Sequence, residues 1–390
     1  MTKNGEMFET VQNLIQTGEA ASAMSKMAQF LLIEKRFHEL FEVRKIQLRQ
    51  SLDLPIRSSE STAELPLEKR SDYETGLIAA CREIGELLIA DGRIREAWVY
   101  LQAVDDRPFV KNLITGIQLD DENSDELIEI AINEGVAPLE GFSWLLEKLG
   151  TCNAITTYDS YFMMYPLEIR QGAAEQLARQ LHRELKANLT HQIHEQQPDA
   201  TIEDSIAEIV DDRPWLFSGN LRHVDESHLA SVVRICRIVE DSESAKLARD
   251  LAAYGLQMNS EYSAEGDPPF ASLYEDSQLF YDALLGERVD EAKIFFGEKA
   301  RNCEPDVETT ACIEWYIFLL NRLGQQAEAI NVSLELLPGA SPQMNIAPNL
   351  FELAQNQADW NRIHDYLREQ DRLLDYGVAL IEGQSSLPAQ

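Results

Sequence analysis

The chain is poor in cysteine pairing, in long apolar runs and in basic residues. Its five cysteines, Cys81, Cys152, Cys236, Cys303 and Cys312, form no CxxC pair and are odd in number. Neither a disulfide framework nor a thiolate zinc site follows from them, which points to a reducing compartment. The opening residues Met1-Thr2-Lys3-Asn4-Gly5-Glu6-Met7-Phe8-Glu9 lack the run of about 7 to 15 apolar residues that a secretory signal needs. No stretch approaches the roughly 18 apolar residues of a membrane span. The reading is a cytoplasmic protein with no membrane partner, in which the sequons at Asn188 and Asn331 carry no meaning.

Basic residues are outnumbered: 34 Lys and Arg against 67 Asp and Glu give a formal charge of −33. Such a field repels polyphosphate, so a nucleic-acid partner is excluded. The acid is clustered. Asp120 to Glu134 holds seven carboxylates, Asp199 to Asp212 six, and Asp250 to Glu287 eight, the first and last with no Lys or Arg. Runs of this kind solvate helix faces, or form an acidic surface for a basic peptide. A counter-patch of Lys35, Arg36, Arg44, Lys45 and Arg49 could meet an acidic face of a second copy, so a homo-oligomer is one expectation. Aromatics are dense beside the third acidic run, with Tyr254, Tyr262, Phe270, Tyr274, Phe280 and Tyr281 read mostly as core.

Several catalytic motifs are missing as well. There is no GxGxxG, no Gly-Lys-Ser/Thr, no GxSxG and no HExxH. Asp121, Asn123 and Asp125 begin like a calcium loop, but Glu126 stands at the required glycine and Ile132 at the required terminal carboxylate. His364-Asp365 has the form of the adjacent pair in HD phosphohydrolases, yet no histidine lies between 228 and 364 to supply an upstream ligand.

What is present is a recurrence. Cys81, Ile84, Gly85 and Leu88 are followed by Ala97, Leu101 and Pro108, with Gly92-Arg93-Ile94 between them. A small residue at Gly85 lets a second helix, at Ala97, come close, while Ile84, Leu88 and Leu101 fill the groove at helical period. The offsets recur in Leu279, Ala283, Ala292 and Phe296, then in Ile313, Tyr316, Leu320, Gly324 and Ala329. Leu350, Ala354, Trp360, Ile363 and Leu367 repeat them, with Ala358 where glycine would sit, and Met24, Met27, Ala28, Leu31, Phe37 and Leu40 give an amino-terminal copy. From Ala329 to Ile363 is 34 positions, and from Ala292 to Ala329 it is 37. About half the chain, at its two ends, resembles the tetratricopeptide repeat (TPR) family, although Cys81 replaces the usual aromatic and Pro108 comes one residue early. The resemblance implies a solenoid of helical hairpins and binding of a partner protein or peptide.

The centre stays helical without the repeat. Leu177, Leu181, Leu185 and Leu189, four apart, predict one amphipathic helix over 175–194. Thr201 and Asp204 predict a capping box, and Asp225 or Ser227 a cap for the next helix. Strand signals at 154–162 and 214–217 are short and unpartnered. Connectors are read at 51–71, 135–141, 211–224 and 260–271. The fold class is therefore all-α: an α-solenoid of TPR-like helical hairpins with a central non-repeat helical module, divided as 1–118, 119–262 and 263–390.

Two places could carry chemistry. Five of the seven histidines, His182, His191, His194, His223 and His228, fall within 47 residues of the centre. His191, His194, His223, Asp225 and His228 are the candidate ligands for zinc or a similar divalent metal, through imidazole nitrogen and a carboxylate. The simpler account makes Asp225 a cap, His228 a first-turn residue bonding that cap, and His191 and His194 solvated surface. The segment Gly150 to Asp159 is read as a loop rich in hydroxyl, amide and thiol groups, with Cys152 and Asp159 the candidate catalytic pair if a histidine lies beside the thiol. Caps and turns use the same residue types. The function read from the sequence is thus a protein- or peptide-binding scaffold with an acidic surface, needing no cofactor. The alternative is a metal-dependent enzyme or metal-binding protein with its site in the central histidines.

Overall fold

A computed structural model describes residues 3–56, 65–218, 222–258, 266–303, 310–337, 344–355 and 360–385. Among them there is helix and no strand, and no helix is long and apolar enough to cross a membrane. The positions of Ala358 and Tyr262, and parts of the connectors at 51–71, 211–224 and 260–271, lie outside the described residues. The chain divides into two compact units, Met1–Trp144 and Leu145–Gln390.

The first unit contains α1 (Lys3–Gln16), α2 (Ala20–Ile33), α3 (Phe37–Ser51), α4 (Leu67–Ala90), α5 (Ile94–Leu101), α6 (Arg107–Thr115), α7 (Ser124–Ile132) and the start of α8 (Pro138–Tyr161). Helices α1 to α5 pack each against the next in sequence. Their shared core holds Ala28, Leu31, Phe37 and Leu40 from α2 and α3, and Ile84, Leu88, Ala97 and Leu101 from α4 and α5. These are the apolar positions picked out by spacing, because residues three and four apart share one helix face.

In the second unit α8 breaks at Gly150 and resumes to Tyr161, and a 3-10 turn, Phe162–Met164, leads into α9 (Leu167–Gln196). There follow α10 (Ile206–Asp211), α11 (Glu226–Ile235), α12 (Ser242–Gln257), α13 (Leu273–Leu284), α14 (Val289–Arg301), α15 (Ala311–Arg322), α16 (Gln326–Leu336), α17 (Leu350–Gln355), α18 (Trp360–Glu369) and α19 (Leu373–Ser385). The long central helix is present, and Leu177, Leu181, Leu185 and Leu189 are all buried along it. Helices α9, α11 and α12 pack together and α12 continues onto α13.

One turn joins helices repeatedly. At Gly18, Gly92, Gly286 and Gly324 the backbone takes φ between 72° and 83°. The next N–H then bonds a carbonyl five residues back, as Arg93 N does to Leu88 O at 2.9 Å and Gln325 N to Leu320 O at 2.8 Å. This closes the orphan carbonyls of the helix end and reverses the chain. Lys35, Asp53 and Asp371 fill the same role at φ of 51–54° without being glycine.

An aromatic box of Phe270, Phe280, Phe296, Trp315 and Phe318 fills the space among α13, α14 and α15, with ring centroids 5.3–6.3 Å apart. Arg237, fully buried, lies 3.7 Å over the Phe270 ring, is paired with Asp267 at 2.9 Å and donates to Ser277 Oγ at 3.1 Å. Burial pulls its guanidinium below the ordinary arginine range, with Asp267 opposing.

Three local expectations are corrected. The segment 150–159 is helix in α8, because Ala154, Ile155, Tyr158 and Phe162 are buried at helical spacing and Gly150 absorbs the break in a single residue. The cap before α10 is Ser205, whose side chain accepts from Ala207 N, so the helix starts after the Thr201–Asp204 box. The connector at 135–141 is shorter than read, since α8 begins at Pro138, a residue suited to a first helical position.

Candidate functional site

The central histidines do different jobs. His182, on α9, is buried and its Nε2 lies 3.1 Å from Asp250 Oδ2 of α12. Asp250 also accepts from Ser205 Oγ and from Ile206 N, both at 2.8 Å. Burial works to raise this carboxyl, but the bonds from His182, Ser205 and Ile206 outweigh it and hold the group below its usual value. The result ties α9, the start of α10 and α12 together through one carboxylate. Asp250 was missed by motif reading. Its signal is an acid at a core register, among the buried Ala248, Leu251 and Ala252.

His223 precedes α11 and is buried. Its Nε2 meets Gln192 Oε1, and its Nδ1 lies 2.8 Å from Tyr254 Oη. A carboxamide oxygen only accepts, so Nε2 carries the hydrogen and Nδ1 accepts from the tyrosine hydroxyl. Both ring nitrogens are thereby used, leaving no lone pair for a metal. Burial pushes the imidazole below its ordinary value and pushes the Tyr254 phenol up to about 12, so the pair is neutral.

Asp225 is the cap of α11, accepting from Ser227 N at 2.9 Å and His228 N at 3.2 Å. The Ser227 hydroxyl, then the helix amides, hold its carboxyl below the usual range. His228 stands half-buried in the first turn of that helix. His191 is exposed and pairs with Glu195 at 3.4 Å, and exposed His194 has Nε2 3.2 Å from Ala200 O.

Of the five candidates for a metal, His223, Asp225 and His228 therefore line one open cleft of about 480 Å³, together with Glu184, Arg222 and Glu226. His191 and His194 are not among its lining residues. No group of three or more His, Cys, Asp or Glu is placed to hold a metal among the described residues.

Cys152 and Asp159 lie on α8. The Cys152 thiol is exposed, and no histidine is bonded to it among the described residues. Asp159 receives Arg234 Nη2 on both oxygens, at 3.0 and 2.9 Å. None of the five cysteines is in a disulfide.

The chain matches no protein-family model, no curated protein and no solved structure.

Proposed function

We propose that the chain is a protein- or peptide-binding scaffold, an α-solenoid of tetratricopeptide-like hairpins whose acidic surface receives a basic segment of a partner. The observation that supports this is the fate of the basic counter-patch. Lys35 pairs with Asp91 and Arg36 with Glu39, while Arg44 meets Glu83 at 2.6 Å and Lys45 meets Glu42 at 2.9 Å. Arg49 is buried and donates to the Pro55 carbonyl. Each of these five cations has a partner within the first unit. The formal charge of −33 favours a cationic partner.

The cleft beside α11 has the same character. Glu184, Asp225 and Glu226 face it with one arginine, Arg222, which is bonded to Glu226 at 2.9 Å. A lysine or arginine side chain suits such a lining better than an anion does.

The test is titration with a labelled peptide alternating Lys and Ser, beside one alternating Glu and Ser. The basic peptide binds and its affinity falls steeply with added salt; the acidic one does not bind. Equal behaviour of the two peptides at low salt removes the proposal.

A further inference from the structure

The turn Val239-Glu240-Asp241 joins the 3-10 turn Cys236–Ile238 to α12 and is held from two sides. Arg322, in the last turn of α15, donates from Nη1 to the Val239 carbonyl and from Nη2 to the Glu240 carbonyl, both at 2.6 Å. Glu175 of α9 takes the other side: its Oε1 accepts from Glu240 N at 3.3 Å and from Asp241 N at 3.4 Å. Helices α9, α12 and α15, separate in sequence, therefore meet at one short turn through one carboxylate and one guanidinium.

That carboxylate has a second acid beside it. Asp241 caps α12, with Oδ1 accepting from Ser244 N at 2.8 Å. One guanidinium serves both acids: Arg179 Nη2 lies 3.0 Å from Asp241 Oδ2 and 3.6 Å from Glu175 Oε2. The Glu175 side chain is only 18% exposed, so its charge is poorly solvated as well as close to another of the same sign. The other ionisable groups around it are Glu240 on the turn, Arg322 on the two carbonyls, and the buried Cys236 thiol, which donates to the Ala174 carbonyl at 3.3 Å. Arg234 of α11 is bonded to Asp159 instead. Burial, then the charge on Asp241, pushes the Glu175 carboxyl above its ordinary value. Burial works on Asp241 in the same direction, but its bonds to Ser244 and Glu175 and the charge of Arg179 hold it below. The first proton to reach the pair therefore goes to Glu175.

We propose that Glu175 and Asp241 form a proton-operated latch: on mild acidification Glu175 takes one proton from solvent on Oε2 and donates it in a hydrogen bond to Asp241, tightening the joint of α9, α12 and α15. Oε1 stays the acceptor of the two turn amides, and Arg179 stays with the ionised Asp241. At neutral pH both acids are ionised and repel each other across the one arginine. The latch stands apart from the scaffold reading and needs no partner.

Other groups, His223 among them, titrate nearby, so the experiment compares full-length proteins. Glu175→Gln keeps an acceptor for the amides and a donor for Asp241 without a charge, and so mimics the closed latch at every pH. A carboxyl raised by folding binds its proton more readily folded than unfolded, so stability linked to it grows as pH falls. Glu175→Gln should thus have its greatest advantage in urea midpoint over the parent at neutral pH, and lose it toward the ordinary glutamate value of 4.5. Carboxyl-carbon NMR of glutamate-labelled protein reads the site directly. One Glu resonance should titrate above the ordinary range and be missing from Glu175→Gln. In Asp241→Asn, which retains a capping side chain for α12, that group should bind its proton about two- to tenfold more weakly, tenfold being one pKa unit. A midpoint difference constant with pH, a parent spectrum with no such resonance, or a titration unchanged by Asp241→Asn overturns the latch.

Discussion

A Cβ placed on Gly85 of α4 would stand 2.7 Å from Cγ of Leu101 in α5. The two helices of this hairpin touch through a missing side chain, and Leu101 is itself buried. Gly85→Ala therefore forces Leu101 off its rotamer. The expected cost is about 1–3 kcal/mol, even after the ~1 kcal/mol that alanine gains in helix propensity. Adding Leu101→Ala to that variant costs less than the two single changes sum to, because one deletion relieves the other. Urea unfolding of the four proteins measures this. A Gly85→Ala protein as stable as the original would show that the contact does not set the helix spacing.

Gly150 makes the opposite case. It sits at φ 76°, ψ −179°, a region open in practice to glycine alone, and nothing lies within 4 Å of where its Cβ would be. Gly150→Ala is expected to lose about 1–3 kcal/mol by backbone strain with no clash. Trimming neighbouring side chains should rescue Gly85→Ala and leave Gly150→Ala unrescued, as thermal melts of the paired variants will show.

His223 predicts a pH dependence. Burial holds its folded pKa below the ordinary value of 6.5. The unfolded chain then takes up a proton that the folded chain refuses, so stability falls as pH drops below about 6.5 and recovers above it. His223→Gln can still bond Tyr254 and does not titrate. Its loss of stability between neutral and mildly acid pH should be smaller than that of the parent; parallel urea midpoints in the two proteins would refute a neutral, buried imidazole.

Alkylation separates the thiols. Cys152 is exposed, whereas Cys81, Cys236 and Cys312 are buried, and burial pushes the thiols of Cys81 and Cys236 up. Iodoacetamide on the native protein should label Cys152 first, with Cys236 modified only after unfolding. Because no histidine is bonded to Cys152 among the described residues, its rate should match that of an ordinary exposed thiol; a much faster reaction would mark it as a nucleophile.

The helices were legible where one face is buried along its whole length. Leu177, Leu181, Leu185 and Leu189 announce α9 because every fourth residue returns to the same side. Asp225 announced a cap because an acid before an apolar run has amides to accept from. The segment after Gly150 was misread because its β-branched, hydroxyl and amide residues are also those of turns, and only burial shows that Ala154, Ile155, Tyr158 and Phe162 share a face. The bonding of His223 was illegible for a different reason. Its partners Gln192 and Tyr254 come from helices on either side in sequence, α9 and α12, and nothing local to His223 names them.

The internal consumption of Lys35, Arg36, Arg44 and Lys45 has a thermodynamic consequence. A body with so large an uncompensated charge works against its own compactness, and dissolved cations relieve part of that strain. Whatever neutralises the exterior will also raise the melting temperature, so cohesion of the folded chain and occupancy by a cationic companion become two readings of one quantity.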